Sequence, residues 1–125
     1  TYKAGASGLL ALDWFNGVRT PLMDFNLNGL IMGMNLLTKP EEIYLSLIEA
    51  TAYGTRMIIE GFEEAGLEVK DITLSGGIPI KNEMLVQVYS DVCNRKIKVV
   101  DSTQSSALGA AILKMLMKQQ RSLEK

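Results

Sequence analysis

The strongest constraint on the fold is a change of texture at Thr38. Beyond it, apolar residues recur at helical spacing without a break. Ile43, Leu47, Ala50, Met57 and Ile58 form one stripe, and Leu45, Ile48, Ala52, Ile59 and Phe62 form a second. A helix apolar along two stripes is one that neighbouring elements bury on two sides. Thr38 and Glu41 stand in capping-box spacing at its start, and Gly66 stands where a left-handed C-cap is expected. The predicted helix is about 25 residues long, against a globular mean of roughly 11–12.

Shorter elements follow in alternation. Residues 72–75 read as a strand running into Gly76 and Gly77. Residues 82–94 read as a second helix, with Met84, Leu85, Val88 and Val92 on one face. Residues 97–100 read as a second strand. Residues 102–118 read as a third helix, packed through Ala107, Leu108, Ala111, Ile112 and Met115, before a polar, frayed tail over 119–125. Helix, strand, helix, strand, helix is the order of a parallel α/β layer whose strand-helix-strand unit crosses over right-handed. Residues 1–39 are a strand and loop segment instead. Two apolar runs, 9–12 and 30–37, are predicted strands, and Asn16-Gly17 and Asn28-Gly29 are turn signals between them. Arg19-Thr20-Pro21 reads as extended loop.

Composition removes several functions. The chain has 125 residues, 13 Lys+Arg against 14 Asp+Glu, and a net charge of -1. That balance gives no electrostatic reason for a nucleic-acid or anionic-membrane partner. There is no histidine, so no Ser-His-Asp triad, Cys-His dyad or His-ligated zinc lies within it. A single cysteine, Cys93, forbids an intrachain disulfide and fits a reducing, cytoplasmic setting. The seven methionines are expected as core filler, and Cys93 as a buried, inert thiol.

Ligands of parallel α/β layers sit beyond the carboxyl ends of the strands. Here those are the Ser75-Gly76-Gly77 corner and the Asp101-Ser102 corner. Gly76 and Gly77 let a ligand approach the backbone, or make a tight turn and nothing more. They match neither the dinucleotide nor the phosphate-loop motif. Asn82 either caps the second helix or aims an amide, donor and acceptor together, at the same corner. Gly109 costs its helix about 1 kcal/mol and is expected to mark close helix-to-sheet packing. Tyr44 and Tyr53 lie in the long helix and need a hydrogen-bond partner at its buried edge. Asp13, Asp24, Asp91 and Asp101 are the carboxylates near loops and strand ends that could serve as a base or a magnesium ligand, though isolated acids are usually solvated or capping.

Gly29-Leu30-Ile31-Met32-Gly33-Met34, then Glu42-Ile43 and Ser46-Leu47-Ile48-Glu49, resembles the second signature of the FGGY carbohydrate kinases. Ser75-Gly76-Gly77, Asn82, Gln87, Ser90-Asp91 and the run from Ala107 to Ala111 continue that pattern in order. The segments 10–19 and 48–56 are similar to the branch of the family acting on the ketopentose L-ribulose. The resemblance implies an α/β fold of ribonuclease-H-like type, as in the actin and hexokinase superfamily, with a mixed sheet and flanking helices. The chain would be a C-terminal portion: strand and loop over 1–39, a nucleotide-side layer over 40–118, and the tail. It also implies transfer of the γ-phosphate of ATP, with magnesium, to a sugar hydroxyl. Gly76 and Gly77 would lie against the nucleotide and Asn82 would border the adenine. The catalytic aspartate and most sugar contacts belong to a preceding segment, so this chain alone would offer one wall of the nucleotide pocket and no phosphoryl transfer. The resemblance allows a homodimer of the whole enzyme. Kinases of xylulose, gluconate or glycerol share the same rear wall and remain alternatives, as does a non-catalytic α/β interaction module.

Overall fold

The structure, a computed structural model, describes the backbone of residues 5–101 and 104–123, with side chains up to 117. The elements run β1 (Leu10–Leu12), β2 (Leu30–Met32), α1 (Pro40–Glu64), β3 (Asp71–Leu74), α2 (Gly77–Lys81), α3 (Glu83–Cys93), β4 (Lys96–Val99) and α4 (Ser105–Leu123). The sheet content falls into two two-stranded pieces: β1 pairs antiparallel with β2, and β3 pairs parallel with β4 in the register Asp71↔Lys96 to Leu74↔Val99. The parallel pair, with α2 and α3 between its strands, is the expected strand-helix-strand unit.

The predicted strand over 30–37 stops at Met32. Gly33 ends it at φ +94°, and a Cβ there would lie 2.8 Å from the Gly8 carbonyl oxygen, so the chain must turn just where β2 crosses the entry to β1. The start of α1 also differs by a residue from the expected capping box. Lys39 is the N-cap, Pro40 opens the helix, and Glu42 Oε2 accepts from the Lys39 N–H at 2.8 Å. The Thr38 hydroxyl is engaged elsewhere, accepting from the Asn35 N–H at 2.8 Å in the preceding turn. At the other end the expectation holds. The Gly66 N–H donates to Glu63 and the Leu67 N–H to Phe62, both at 2.9 Å, the paired hydrogen bonds of a Schellman stop.

The core forms between α1 and α3. Ile48, Ala52, Val88 and Val92 interdigitate, with Leu45, Met84, Leu85 and Tyr89 packed around them. The i, i+4 spacing of 48 with 52 and of 88 with 92 sets each pair on one helix face. On its other side α1 meets β1. Ala50 and Ala11 are buried, and Glu49, 5% exposed, accepts from the Gly5 N–H at 2.9 Å. Two-sided burial thus holds over residues 46–52. Further along, only Ile59 is buried, and Met57 and Phe62 are exposed.

Cys93 sits at the floor of this core with its Sγ 3.9 Å from the Ala52 carbonyl oxygen. Burial pushes its thiol above the ordinary value, against the pull of Arg95 and Arg56, so it stays protonated and unreactive, as expected. Asn94 closes α3 in the left-handed conformation. Arg95 then ties three elements together: its Nε donates to the Val69 carbonyl at 2.8 Å, one terminal nitrogen to Cys93, and the other to the Glu63 carboxylate at the end of α1. A guanidinium fork suits this task, since its donors are fixed in one plane.

Five other expectations are corrected. The helix read as starting at Asn82 is preceded by α2, which residues 77–81 form despite Pro79, because a proline is tolerated in a first turn. Both strands of the parallel pair begin one residue early. α4 continues to Leu123 rather than fraying at Gln119; its expected start at Ser102, like Glu124 and Lys125, lies outside the described residues. Finally, the packing expected of Gly109 is absent. A Cβ built there meets nothing within 4 Å, and Leu108, Ile112, Met115 and Leu116 are exposed because no described element of the chain covers α4. The same holds for the methionines. Met84 is half-buried at the core, but Met23 and Met34 in loops, Met57 on α1, Met32 on β2, and Met115 and Met117 on α4 are exposed.

Candidate functional site

The site is built on the chain that leaves β3. Ser75 and Gly76 turn the backbone away from the parallel pair, and Gly76 is the N-cap of α2 at φ 105°, ψ 179°. That combination belongs to glycine almost alone. Gly77 is the first residue of α2 and is not in the positive-φ region. A Cβ on either glycine would meet nothing within 4 Å, so the turn presents open backbone. α2 has five residues, which sets Gly77 and Asn82 about 7–8 Å apart at its two ends.

Asn82 is the C-cap of α2 and the N-cap of α3 at once. Its Oδ1 accepts from the Leu85 N–H at 3.0 Å, so the capping reading is correct. The amide does more than cap. Its Nδ2 donates to the Tyr44 hydroxyl at 3.1 Å, bridging to the first turns of α1. Asn82 is half-buried and Tyr44 is 53% exposed, so the pair stands at the surface rather than in the core. Spacing in sequence could not show this contact, since the partners are 38 residues apart. The expected need of Tyr44 for a hydrogen-bond partner was the only signal pointing to it.

Two clefts flank the start of α3. One, of about 570 Å³, lies between α2, α3 and the carboxyl end of β4, with Pro79, Ile80, Val99 and Asp101 in its walls. The other, of about 940 Å³, lies between α1 and α3, with Pro40, Tyr44, Leu45 and Met84 forming a largely apolar wall and Glu41 at its rim. Glu83 and Gln87 line both. Gly76 and Gly77 thus stand at the carboxyl end of β3 and Asp101 at the end of β4, while Asn82 lies at the far end of α2; Asp101 lines the first cleft, and none of Gly76, Gly77 and Asn82 lines either cleft. Ser102 lies outside the described residues.

The remaining carboxylates do not converge. Asp13 lines a separate 330 Å³ hollow beside Trp14 and Thr51. Asp24 Oδ1 accepts from the Asn26 N–H, and Asp91 from the Gln87 amide. Among the described residues no three His, Cys, Asp or Glu side chains cluster as a metal site. Nor is any described helix long and apolar enough to cross a membrane.

Residues 2–117 match the FGGY family of carbohydrate kinases, C-terminal domain. The ribulokinases of Anoxybacillus flavithermus and Geobacillus thermodenitrificans are 56% and 55% identical to the chain over 111 residues. That is 89% of this chain and 20% of each relative, so the chain spans about a fifth of the length of the curated relatives it matches. Among solved structures, Plasmodium falciparum glycerol kinase with ADP is similar at a TM-score of 0.73 and 28% identity, covering 86% of this chain and 21% of that one. The xylulose kinase of Rhodospirillum rubrum shares the fold at a TM-score of 0.68 and 24% identity, over 78% of this chain and 19% of that one. The chain belongs to the FGGY family of carbohydrate kinases and corresponds to its C-terminal domain.

Proposed function

We propose that this chain is the nucleotide-side wall of an ATP-dependent, cytoplasmic sugar kinase that phosphorylates L-ribulose to L-ribulose 5-phosphate. The similarity to ribulokinases, 55–56% identical to it, supports this choice of sugar. The nucleotide side rests on one observation. Gly77 needs to be glycine neither for its backbone conformation nor for packing, yet it stands bare at the carboxyl end of β3. A ligand that comes close to the backbone accounts for that.

The charges orient the nucleotide. Glu41 at the apolar cleft repels phosphate, so the base lies between Tyr44, Leu45 and Met84, next to the hydrogen bond from Asn82 to Tyr44, and the phosphates lie toward Gly76 and Gly77. The spacing of about 7–8 Å along α2 is one that a nucleotide bridges. What this chain contributes is binding and orientation, which hold the γ-phosphate in place for attack. Magnesium, when bound with the phosphates, neutralises their charge. Among the described residues no three carboxylates cluster to hold it without the phosphates. The base that deprotonates the sugar hydroxyl is assigned to the part of the enzyme outside this chain.

The test is Gly77→Val in the full-length kinase. Valine is a better helix residue than glycine and its Cβ meets nothing within 4 Å here, so thermal stability should be held. The KM for ATP should rise about tenfold or more, roughly 1.4 kcal/mol, while the KM for the sugar stays put. An unchanged KM for ATP would remove the nucleotide from this turn.

A further inference from the structure

We propose that Tyr44 is a positioning residue for the nucleotide, acting through Asn82. The inference rests on the placement of Asn82 at the nucleotide argued above, and extends it to a residue on a different helix. An asparagine amide can present either face, and its worth as a recognition group depends on which one is held outward. Here both ends are fixed. The Leu85 N–H is a donor, so the atom facing it must be Oδ1, and the orientation follows from chemistry. Nδ2 then faces Tyr44, and the phenolic oxygen accepts one of its two hydrogens at 3.1 Å.

Three consequences follow for a ligand. The second Nδ2 hydrogen is left for an acceptor on the base. The Tyr44 O–H, whose oxygen already accepts from Asn82, turns its own hydrogen away from Asn82 as a further donor. The Tyr44 ring and Leu45 line the open apolar cleft of about 940 Å³ opposite Met84 of α3, a surface on which a flat heteroaromatic ring can lie. The hydrogen bond also joins the starts of α1 and α3, so the amide is set by the packing of two helices rather than by one flexible loop. A group held before binding costs less to order when the ligand arrives.

The experiment uses the full-length kinase with ATP and sugar titrated separately. Tyr44→Phe keeps the ring and removes only the hydroxyl. Asn82→Asp keeps an oxygen to cap α3 and removes Nδ2. Tyr44→Phe is expected to raise the KM for ATP about three- to tenfold, the worth of a hydrogen bond, and to leave the KM for the sugar unchanged. In the Asn82→Asp background the same change should have no further effect on ATP, because the two residues act as one unit. Equal effects of Tyr44→Phe in both backgrounds would overturn the positioning role. So would an effect of Asn82→Asp alone, which would leave the nucleotide site standing. If neither variant moves the KM for ATP, the nucleotide site itself falls and the proposal falls with it.

Discussion

Replacing Ile48 with alanine is expected to cost the domain about 2–5 kcal/mol, the range for deleting a buried aliphatic side chain and leaving its cavity. Ile48 is 6% exposed and sits between Ala52, Val88 and Val92. Ala52 is too short to fill the space, and Val88, with no exposure, has no freedom to lean into it. The loss should appear in native-state hydrogen exchange of the full-length protein, as faster exchange of the α1 and α3 amides together. Amides of α4, which has no extensive packing on either helix, should be unaffected by the same change. Uniform acceleration across all helices would show that the α1–α3 core is not a unit.

Gly76→Ala should be the most damaging single change at the site. At φ 105° and ψ 179° an alanine is strained by about 1–3 kcal/mol even though its Cβ would meet nothing within 4 Å. The chain relieves that strain by rotating the turn, which swings Gly77 and α2 away from the end of β3. Loss of thermal stability and a raised KM for ATP should therefore arrive together. Gly77→Val, by contrast, separates them. A Gly76→Ala protein of unchanged stability would mean that the turn adopts another conformation in the whole enzyme.

Most of the fold was legible because its signals are local. The double stripe of α1, the Gly66 stop and the alternation after residue 66 all follow from spacing along the chain, and α1, β3, α3 and β4 each lie within a few residues of their expected places, whereas α2 had none. The errors are those of local competition. Thr38 could cap α1 or serve the turn before it, and the turn took it. Residues 30–37 are apolar throughout most of their length, but Gly33 at positive φ ended the strand early. The misplaced burial of the methionines and of Gly109 has a different origin. An apolar face shows that something covers it, but not that the cover lies within the same 125 residues. At the site, Gly76, Gly77 and Asn82 could be picked out as the corner after a strand. Tyr44 could not, because its role depends on how α1 lies across α3, which no pattern in either helix encodes.

The central claim is that ATP lies against the segment from Gly76 to Gln87. Its most direct test is hydrogen exchange of the full-length kinase with and without a non-hydrolysable ATP analogue. Slowed exchange is expected over residues 76–87 and at the start of α1 around Tyr44. Slowing confined to regions outside these residues would contradict the account.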